Sequence, residues 1–330
     1  MRILVTGGAG FIGSHLVNKL SGEDHEVFVI DDLSGGSTLN ITDEDKFEMI
    51  DCRDDLLVDE AFKRIKPEVV FHLAANAAEG LSHFSPIEVT SRNYDAFIKT
   101  VTPAIKYGVK RFVFTSSIAA YGAIPTPFKE SDRPEPEDLY GISKYACEMS
   151  LKILSEVHGM EYVITRPHNV YGPKQNMKDP LRNVVTIWMN ALLKGEPYYI
   201  YGDGSMQRCF SYIDDVVDAL YKCGFADVLG KTFNVGSDSN YTLSELSRLL
   251  QKVAGNEISP IYLPQRANEV TIAISDHTEA KKYLNYQDTV SLEEGLRRTW
   301  EWAESVGYQQ PIISNFEIDS PLIPNNWRTI

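Results

Sequence analysis

The chain opens Met1-Arg2-Ile3-Leu4-Val5-Thr6-Gly7-Gly8-Ala9-Gly10-Phe11-Ile12-Gly13, and the reading of this stretch decides the fold. Ile3, Leu4 and Val5 form a short apolar run of the kind that fills a buried parallel strand. The glycines after them let the chain turn tightly and bring its backbone within contact distance of a ligand, and a helical pattern then runs through Leu20. Backbone N–H groups at the start of such a helix face outward at the positive end of its dipole, which makes a seat for a pyrophosphate. A second strand, Glu26 to Ile30, ends on Asp31, about twenty residues past the loop, where a carboxylate can hydrogen-bond a ribose 2′-hydroxyl. The same carboxylate repels a 2′-phosphate, so NAD is favoured over NADP. A glycine triplet alone is a weak signal. Strand, glycines, helix, strand and acid in this order point to dinucleotide binding rather than to a structural turn.

The 330 residues, 43% of them hydrophobic, can bury a full core and predict one large domain with a smaller one beside it. A formal net charge of -14 argues against a nucleic-acid partner, which needs a basic face. With a mean hydropathy of -0.22 and no apolar run of membrane-spanning length, no membrane partner is expected, and Arg2 leads directly into the first strand without the pattern of a leader. Cys52, Cys147, Cys209 and Cys223 are scattered without C-x-x-C spacing. Neither a metal site nor a disulfide framework is expected from them, and a reducing, cytoplasmic setting fits.

Past Asp31, the glycine- and serine-rich loop Asp32 to Ser37, which includes Ser34 and Gly36, is placed to wrap the adenosine end of a cofactor. A third strand, Phe47 to Ile50, ends at Asp51-Cys52. Asp51 reads equally as a carboxylate for the adenine amino group and as the N-cap of a helix over Asp54 to Lys66. A fourth buried strand, Val69 to Leu73, closes on Ala74, Ala75, Asn76 and Ala77, small enough for a cofactor to lie against the backbone. A long helical pattern follows from Pro86 to Tyr107. Strand five, Arg111 to Thr115, stops at Ser116-Ser117, and ligands sit at the carboxyl ends of strands in doubly wound sheets. Strand six, Tyr162 to Thr165, runs into Arg166-Pro167-His168-Asn169-Val170-Tyr171-Gly172-Pro173.

This alternation predicts an α/β fold: a Rossmann-type doubly wound parallel sheet over residues 1–173, with right-handed crossovers, and a smaller C-terminal substrate-binding lobe. The lobe is assigned 174–209 and 237–330. Residues 210–236, with a helix over Phe210 to Phe225 and a strand over Thr232 to Val235, return to the main sheet. Gln309 to Ile330, rich in Pro and Asn, reads as an irregular arm.

The helix after strand five carries Tyr140-Gly141-Ile142-Ser143-Lys144, whose i, i+4 spacing puts a phenol and an ammonium on one face. A phenol has an ordinary pKa of about 10, too high for a base at neutral pH, and a nearby positive charge lowers it. Ser117, at the mouth of strand five, can donate to an oxygen undergoing oxidation. The plain alternative is a surface Tyr-Lys pair on an amphipathic helix, but downstream of a dinucleotide loop the catalytic reading is preferred.

Gly7, Gly10 and Gly13, with Asp31, Asp51, Ala74-Ala75, Asn93, Ser117, the Tyr140/Lys144 pair and the segment Arg166 to Pro173, resemble an extended short-chain dehydrogenase/reductase of the nucleotide-sugar epimerase and dehydratase branch. The resemblance extends to about Ser305. It implies NAD held by Gly7, Gly10, Phe11, Ile12, Gly13, Asp31, Asp32, Ser34, Gly36, Ser37, Asp51, Cys52, Leu73, Ala74, Ala75, Ser116, Tyr140 and Lys144. Asn93 would help hold the catalytic helix and the nicotinamide region. His168 would lie near the nicotinamide ring, or else is an ordinary strand-end histidine.

By the same resemblance, Tyr199 to Tyr201 match a segment that contacts the nucleotide base, with Tyr201 on a uracil. Arg208 and Arg266 match the arginines on a diphosphate, their other reading being surface ion pairs. Asn169, Asn183, Val184 and Glu269 match positions near sugar or nucleotide. Ser117-Ile118-Ala119 lacks the acid that dehydratases and UDP-glucuronate decarboxylases carry after the strand-five residue. The resemblance then implies a UDP-hexose 4-epimerase: reversible oxidation at C4, a transient 4-keto sugar, and NAD retained from cycle to cycle. Counting back from Asp276 puts Ala273 at a gatekeeper position, small enough to admit UDP-N-acetylglucosamine. Departures over Glu79 to Phe84 keep a uronic acid open.

A nucleotide-sugar reductase or dehydrogenase is the competing enzyme, and a non-catalytic NAD-binding sensor or scaffold the competing class. Retention of both Tyr140 and Lys144 weighs against the last. Relatives pair two helices per subunit into a homodimer, and Pro86 to Tyr107 and Tyr140 to His158 are placed to do so.

Overall fold

Seven parallel strands carry the architecture. They are β1 (Arg2–Thr6), β2 (Glu26–Asp31), β3 (Phe47–Met49), β4 (Val69–His72), β5 (Arg111–Thr115), β6 (Glu161–Pro167) and a last strand, Thr232–Val235. From one edge the order is last strand, β6, β5, β4, β1, β2, β3, with every pairing parallel. The computed structural model describes residues 1–42, 46–266, 270–312 and 316–328. Strand order reverses between β1 and β4, and a crevice opens at such a switch point, beyond the carboxyl ends of the strands. Thr6, the last residue of β1, pairs with Ile30 on one side and His72 on the other, so the glycine loop starts at the centre of that crevice.

Successive side chains of β1 serve two cores, as strand alternation demands. Ile3 and Val5 join a cluster with Leu16, Val17 and Leu20 of α1 (Phe11–Ser21) and with Ile213, Val216 and Leu220 of the helix Ile213–Phe225. Leu4 joins the opposite cluster, with Val58 and Phe62 of α2 (Asp55–Ile65), Phe97 and Val101 of the helix Ala96–Lys106, and Cys147 and Leu151 of the helix Leu139–His158. All four cysteines are buried free thiols. The helix Ile213–Phe225 packs beside α1 and the last strand pairs with β6, Val235 opposite Pro167. That pairing carries β6 two residues beyond its predicted end.

Three local structures position the site. Asp54, rather than Asp51, caps α2, its side chain accepting from Leu57 N–H at 3.0 Å. The predicted helix Pro86 to Tyr107 is helical from Pro86 to Lys106 but contains one π-helical turn, Ser91–Asp95. Such insertions re-aim a side chain, and here buried Asn93 donates to the carbonyls of Asn76 (2.9 Å) and Val89 (2.7 Å). Asp138 caps the helix Leu139–His158 by accepting from Gly141 N–H at 2.8 Å, and Gly159 ends it in the left-handed region (φ 74°).

The smaller lobe contains the helices Val184–Lys194, Leu243–Ala254 and Leu292–Val306 and short paired strands, among them Tyr199–Tyr201 with Ile261–Leu263 and Gln207–Cys209 with Ile272–Ala273. Its Trp188, Leu246, Leu296 and Trp300 belong to the same buried cluster as Ile3 and Val5. Among the described residues no helix is long and apolar enough to cross a membrane.

Candidate active site

A cleft lies over the carboxyl ends of the strands, floored by Gly7, Gly10 and Gly13. Gly7 sits at φ 69°, and a Cβ there would come 2.6 Å from the backbone nitrogen of Ala74. A Cβ on Gly13 would fall 2.1 Å from the Gly7 carbonyl oxygen. Only glycine lets the loop close this tightly against its helix and against β4. The N-cap of α1 is Gly10, with no side-chain cap, so the first turn of amides faces the cleft for a ligand's phosphates. Asp31 accepts from Ala9 N–H at 3.0 Å and from Leu33 N–H at 2.8 Å, and a carboxylate has further acceptor capacity for a ribose hydroxyl. Burial pushes its carboxyl above the usual range, while the backbone amides of Leu33, Ala9 and Gly10 pull it down.

The adenosine end of the cleft is a charge network that the motif did not show. Arg92 bridges Asp32 and Glu88, and it donates to Ser34 Oγ at 3.1 Å. Arg53 forks onto Asp51 at 2.7 and 3.0 Å, which holds that carboxyl below its usual range. Asp32, Ser34, Gly36, Asp51, Cys52, Leu73, Ala74 and Ala75 line this end. Ser37 does not line it. Its N–H donates to Ala9 carbonyl at 3.0 Å and its hydroxyl caps the turn Thr38–Asn40, so it anchors the loop.

At the other end Ser116, Ser117, Tyr140 and Lys144 converge, as their positions in sequence required. Tyr140 is buried and lines the cleft beside Ser117, whose Oγ accepts from Ala119 N–H at 3.1 Å. Lys144 Nζ stands 5.8 Å from the centroid of the Tyr140 ring and donates to the Thr115 carbonyl at 2.9 Å. Burial pulls the Lys144 ammonium down to about 8, with Cys147 and Glu148 opposing. Burial pushes the Tyr140 phenol up, and Glu79 adds to this, while the Ser117 hydroxyl and the Arg182 charge lower it. In the chain by itself, burial outweighs both lowering influences on the phenol.

Below this group runs a buried ion pair. Arg166 donates to Glu148 at 2.8 and 2.6 Å, and Glu148 also accepts from Ser116 Oγ at 2.6 Å. The pair ties the end of β6 to the helix Leu139–His158 one turn past Lys144.

Of the expected substrate residues, Asn169 and Asn183 line the cleft with Ser117. Asn183, at φ 59°, caps the helix Val184–Lys194 and donates to the Val170 carbonyl at 2.5 Å. Val184 packs against the main core instead. Tyr201 lies under the Arg266 guanidinium, 4.4 Å from its ring centroid, and Tyr199 is partly exposed on the same strand. Arg208 donates to the carbonyls of Gln207 (2.9 Å), Thr271 (3.1 Å) and Val270. These four do not line the main cleft. Glu269 lies outside the described residues.

Two of the expected residues do not line the cleft. His168 points away from the cleft, fully buried, with Nε2 2.5 Å from Ser275 Oγ and its ring against His277. The residue after Pro167 on a strand end alternates inward, so Pro167 and Asn169 reach the cleft and His168 does not. Ala273 is buried in a cluster with Tyr121 and Phe128, and touches the cleft only through Ile118 beside them.

Sequence reasoning missed the positive and negative charges that complete the walls: Arg92, Asp179 and Arg182, with Gln175 and Asn176. Arg92 lies on the π-turn Ser91–Asp95 and the others on irregular segments, none within a motif, although Arg182 is the neighbour of Asn183. Glu79 had been read only as part of a departing segment.

The pattern of the family described as "NAD dependent epimerase/dehydratase family" matches residues 3–236. A UDP-glucose 4-epimerase of Mycolicibacterium smegmatis is 35% identical over 309 residues, covering 92% of this chain and 98% of the relative. A UDP-N-acetyl-alpha-D-glucosaminuronate decarboxylase of Bacillus cytotoxicus is 29% identical over 324 residues, covering 92% and 98%. The crystal structure of a UDP-glucose 4-epimerase from Thermotoga maritima with UDP-glucose superposes with a TM-score of 0.88 at 38% identity, over 93% of this chain and 99% of that one. The glycine cradle, the amide-ended helix and Asp31 fit NAD, the cofactor in that family's description. By sheet order, cradle and sequence together, the chain belongs to the NAD-dependent epimerase/dehydratase family.

Proposed function

We propose that the chain is a UDP-hexose 4-epimerase in which Tyr140 is the acid/base. Bound in the cradle, NAD supplies a hydride acceptor and donor. Tyr140 Oη takes the proton of the C4 hydroxyl as that carbon is oxidised and returns it after the 4-keto sugar has turned its other face. Ser117, beside the phenol in the cleft, makes the second contact to the same oxygen. Lys144 keeps positive charge beside the ring, where ionisation of the phenol needs it. Asn169, Asn183, Tyr199, Tyr201, Arg208 and Arg266 are assigned to the uridine diphosphate. Glu79 and Arg182 join them at the sugar end, because both line the cleft and both act on the Tyr140 phenol.

The observation that carries this reading is the convergence of Ser117, Tyr140 and Lys144 at the strand ends above the glycine floor, with Ile118 and Ala119 following Ser117 in a tight turn that offers no acid. A second reading has one observation behind it: the Glu79 carboxylate sits near enough to Tyr140 to act on its charge, and an acid there could serve elimination or decarboxylation.

One experiment separates the two. Purified protein is incubated with UDP-glucose, UDP-N-acetylglucosamine and UDP-glucuronate, and products are read by proton NMR while A340 is followed. Inversion at C4 without net absorbance change is the expected result. A 4-keto-6-deoxy or pentose product removes the epimerase reading, and a steady A340 change converts it to a net oxidoreductase. The reading also includes a homodimer, on the exposed apolar face Ile142, Met149, Ile153 and Val157 of the helix Leu139–His158.

A further inference from the structure

The C-terminal arm is not a loose end. Its first part is fixed to the smaller lobe: Gln309 N–H donates to Asn190 Oδ1 at 2.9 Å, Asn190 Nδ2 donates to the Gln309 carbonyl at 2.8 Å, and Ile312 N–H donates to the Lys178 carbonyl at 2.8 Å. Its second part is fixed to the dinucleotide domain, more than two hundred residues away in sequence. Ile318 N–H donates to the Phe84 carbonyl at 2.9 Å. The Glu317 carboxylate accepts from Ile87 N–H (2.8 Å) and Glu88 N–H (2.7 Å), the amides that Ser85 and Pro86 leave without a side-chain cap. The chain thus ties the two lobes together on the side where Glu79 and Tyr140 stand.

Aromatic packing then brings this segment onto the sugar end of the cleft. Phe84 meets Phe316 and Trp327 edge-on, at 6.0 and 6.3 Å between ring centroids. Trp327 is buried, and Gly80, the neighbour of Glu79, is the place where it fits: a Cβ on Gly80 would come 2.7 Å from Cη2 of the indole. Phe316 packs against the buried cluster of Ala78, Leu81, Val89 and Tyr140 itself. On the indole's other flank is Arg266, 5.9 Å from the Trp327 ring and 4.4 Å from the Tyr201 ring.

We propose that residues 309–312 and 316–328 form a strap that positions two parts of the substrate site at once: the turn of helix bearing Glu79, held over Tyr140, and Arg266, held between Trp327 and Tyr201. Trp327 is its central positioning residue. This rests on the UDP-sugar reading above. A ligand that spans from uridine diphosphate to hexose must be met by Arg266 and by the Glu79 helix in one fixed relation, and Trp327 touches both.

The test is calorimetric titration of UDP-glucose into the NAD-loaded protein and its Trp327→Ala, Trp327→Phe and Glu317→Gln variants, with released NAD quantified per chain. Trp327→Ala is expected to weaken UDP-glucose binding by about tenfold or more with NAD content unchanged, and Trp327→Phe to recover most of the loss. Glu317→Gln, which keeps the fold's packing and weakens only the charged cap, is expected to raise the dissociation constant about threefold. Wild-type affinity in Trp327→Ala, or in Glu317→Gln should the former not fold, overturns the strap. So does parallel loss of NAD and affinity that Phe does not rescue, which marks a merely structural role. Wild-type protein that fails to bind UDP-glucose at all overturns instead the reading beneath.

Discussion

Lys144 carries the buried charge through which the site answers to pH. Its ammonium is drawn down to about 8 from an ordinary 10.5 because burial disfavours the charged form. Between those two values the unfolded chain keeps a proton that the folded chain has released, so stability from this group rises with pH across that window and is lowest below about 8. Lys144→Met removes the buried charge, and the variant is expected to gain on wild type in Tm at pH 7, with the gap narrowing by about 3 kcal/mol of unfolding free energy towards pH 10. Its turnover should fall by about 10²–10⁴ while NAD stays bound. A Tm difference independent of pH would show that Lys144 titrates normally. At this scale the sequence was readable where function follows from one residue's own geometry. Gly7, Gly13 and Asp31 act through backbone closeness and a strand end, both local. His168 and Ala273 were misplaced because their side chains answer to Ser275, His277, Tyr121 and Phe128, which the fold brings from far along the chain.

Elements rather than single residues hold the helix of Tyr140 and Lys144 in place. Leu139–His158 is pinned at its start by Asp138, at mid-length by the Glu148 pair with Arg166, and along one side by the π-turn that carries Asn93. Glu148 is fully buried, so Glu148→Ala leaves a desolvated guanidinium and an unpaired Ser116 hydroxyl. The expected cost is about 3–5 kcal/mol in urea unfolding, where a surface pair would cost under about 1 kcal/mol. The opposite face of the same helix exposes Ile142, Met149, Ile153 and Val157, spaced for one stripe. Replacing Ile153 and Val157 by Asp is expected to shift sedimentation from dimer to monomer with NAD retained; an unchanged sedimentation coefficient assigns the dimer to another face or to none. Element positions were legible throughout the sheet, because apolar runs and crossover helices repeat. The π-turn was not, since one inserted residue leaves the 3.6-residue pattern nearly intact, and the arm was not, since its order comes from contacts with Phe84 and Asn190 and not from its own composition.

The division of the chain into a dinucleotide domain and a substrate lobe describes ligands better than it describes packing. Ile3, Val5 and Leu16 share one buried cluster with Trp188, Leu246, Leu296 and Trp300. The last strand, Thr232–Val235, closes the sheet beside β6, and the helix Ile213–Phe225 covers α1, so the sheet is complete only after the chain has already built part of the lobe. A fragment ending at residue 173 would expose one edge of β6 and the apolar face of α1 that Ile213 and Leu220 cover, and burial of that kind contributes roughly 1.5–3 kcal/mol per large side chain. The intact chain is therefore expected to unfold in one cooperative calorimetric transition, with van't Hoff and calorimetric enthalpies equal, and residues 1–173 alone to bind ANS and to lack a sharp transition. Adding residues 174–236 should restore the sheet edge but leave Trp188 and Val185 without the Leu292–Val306 helix against which their cluster closes, so a folded 1–236 fragment would place the cooperative unit within the dinucleotide half and sink the single-core account.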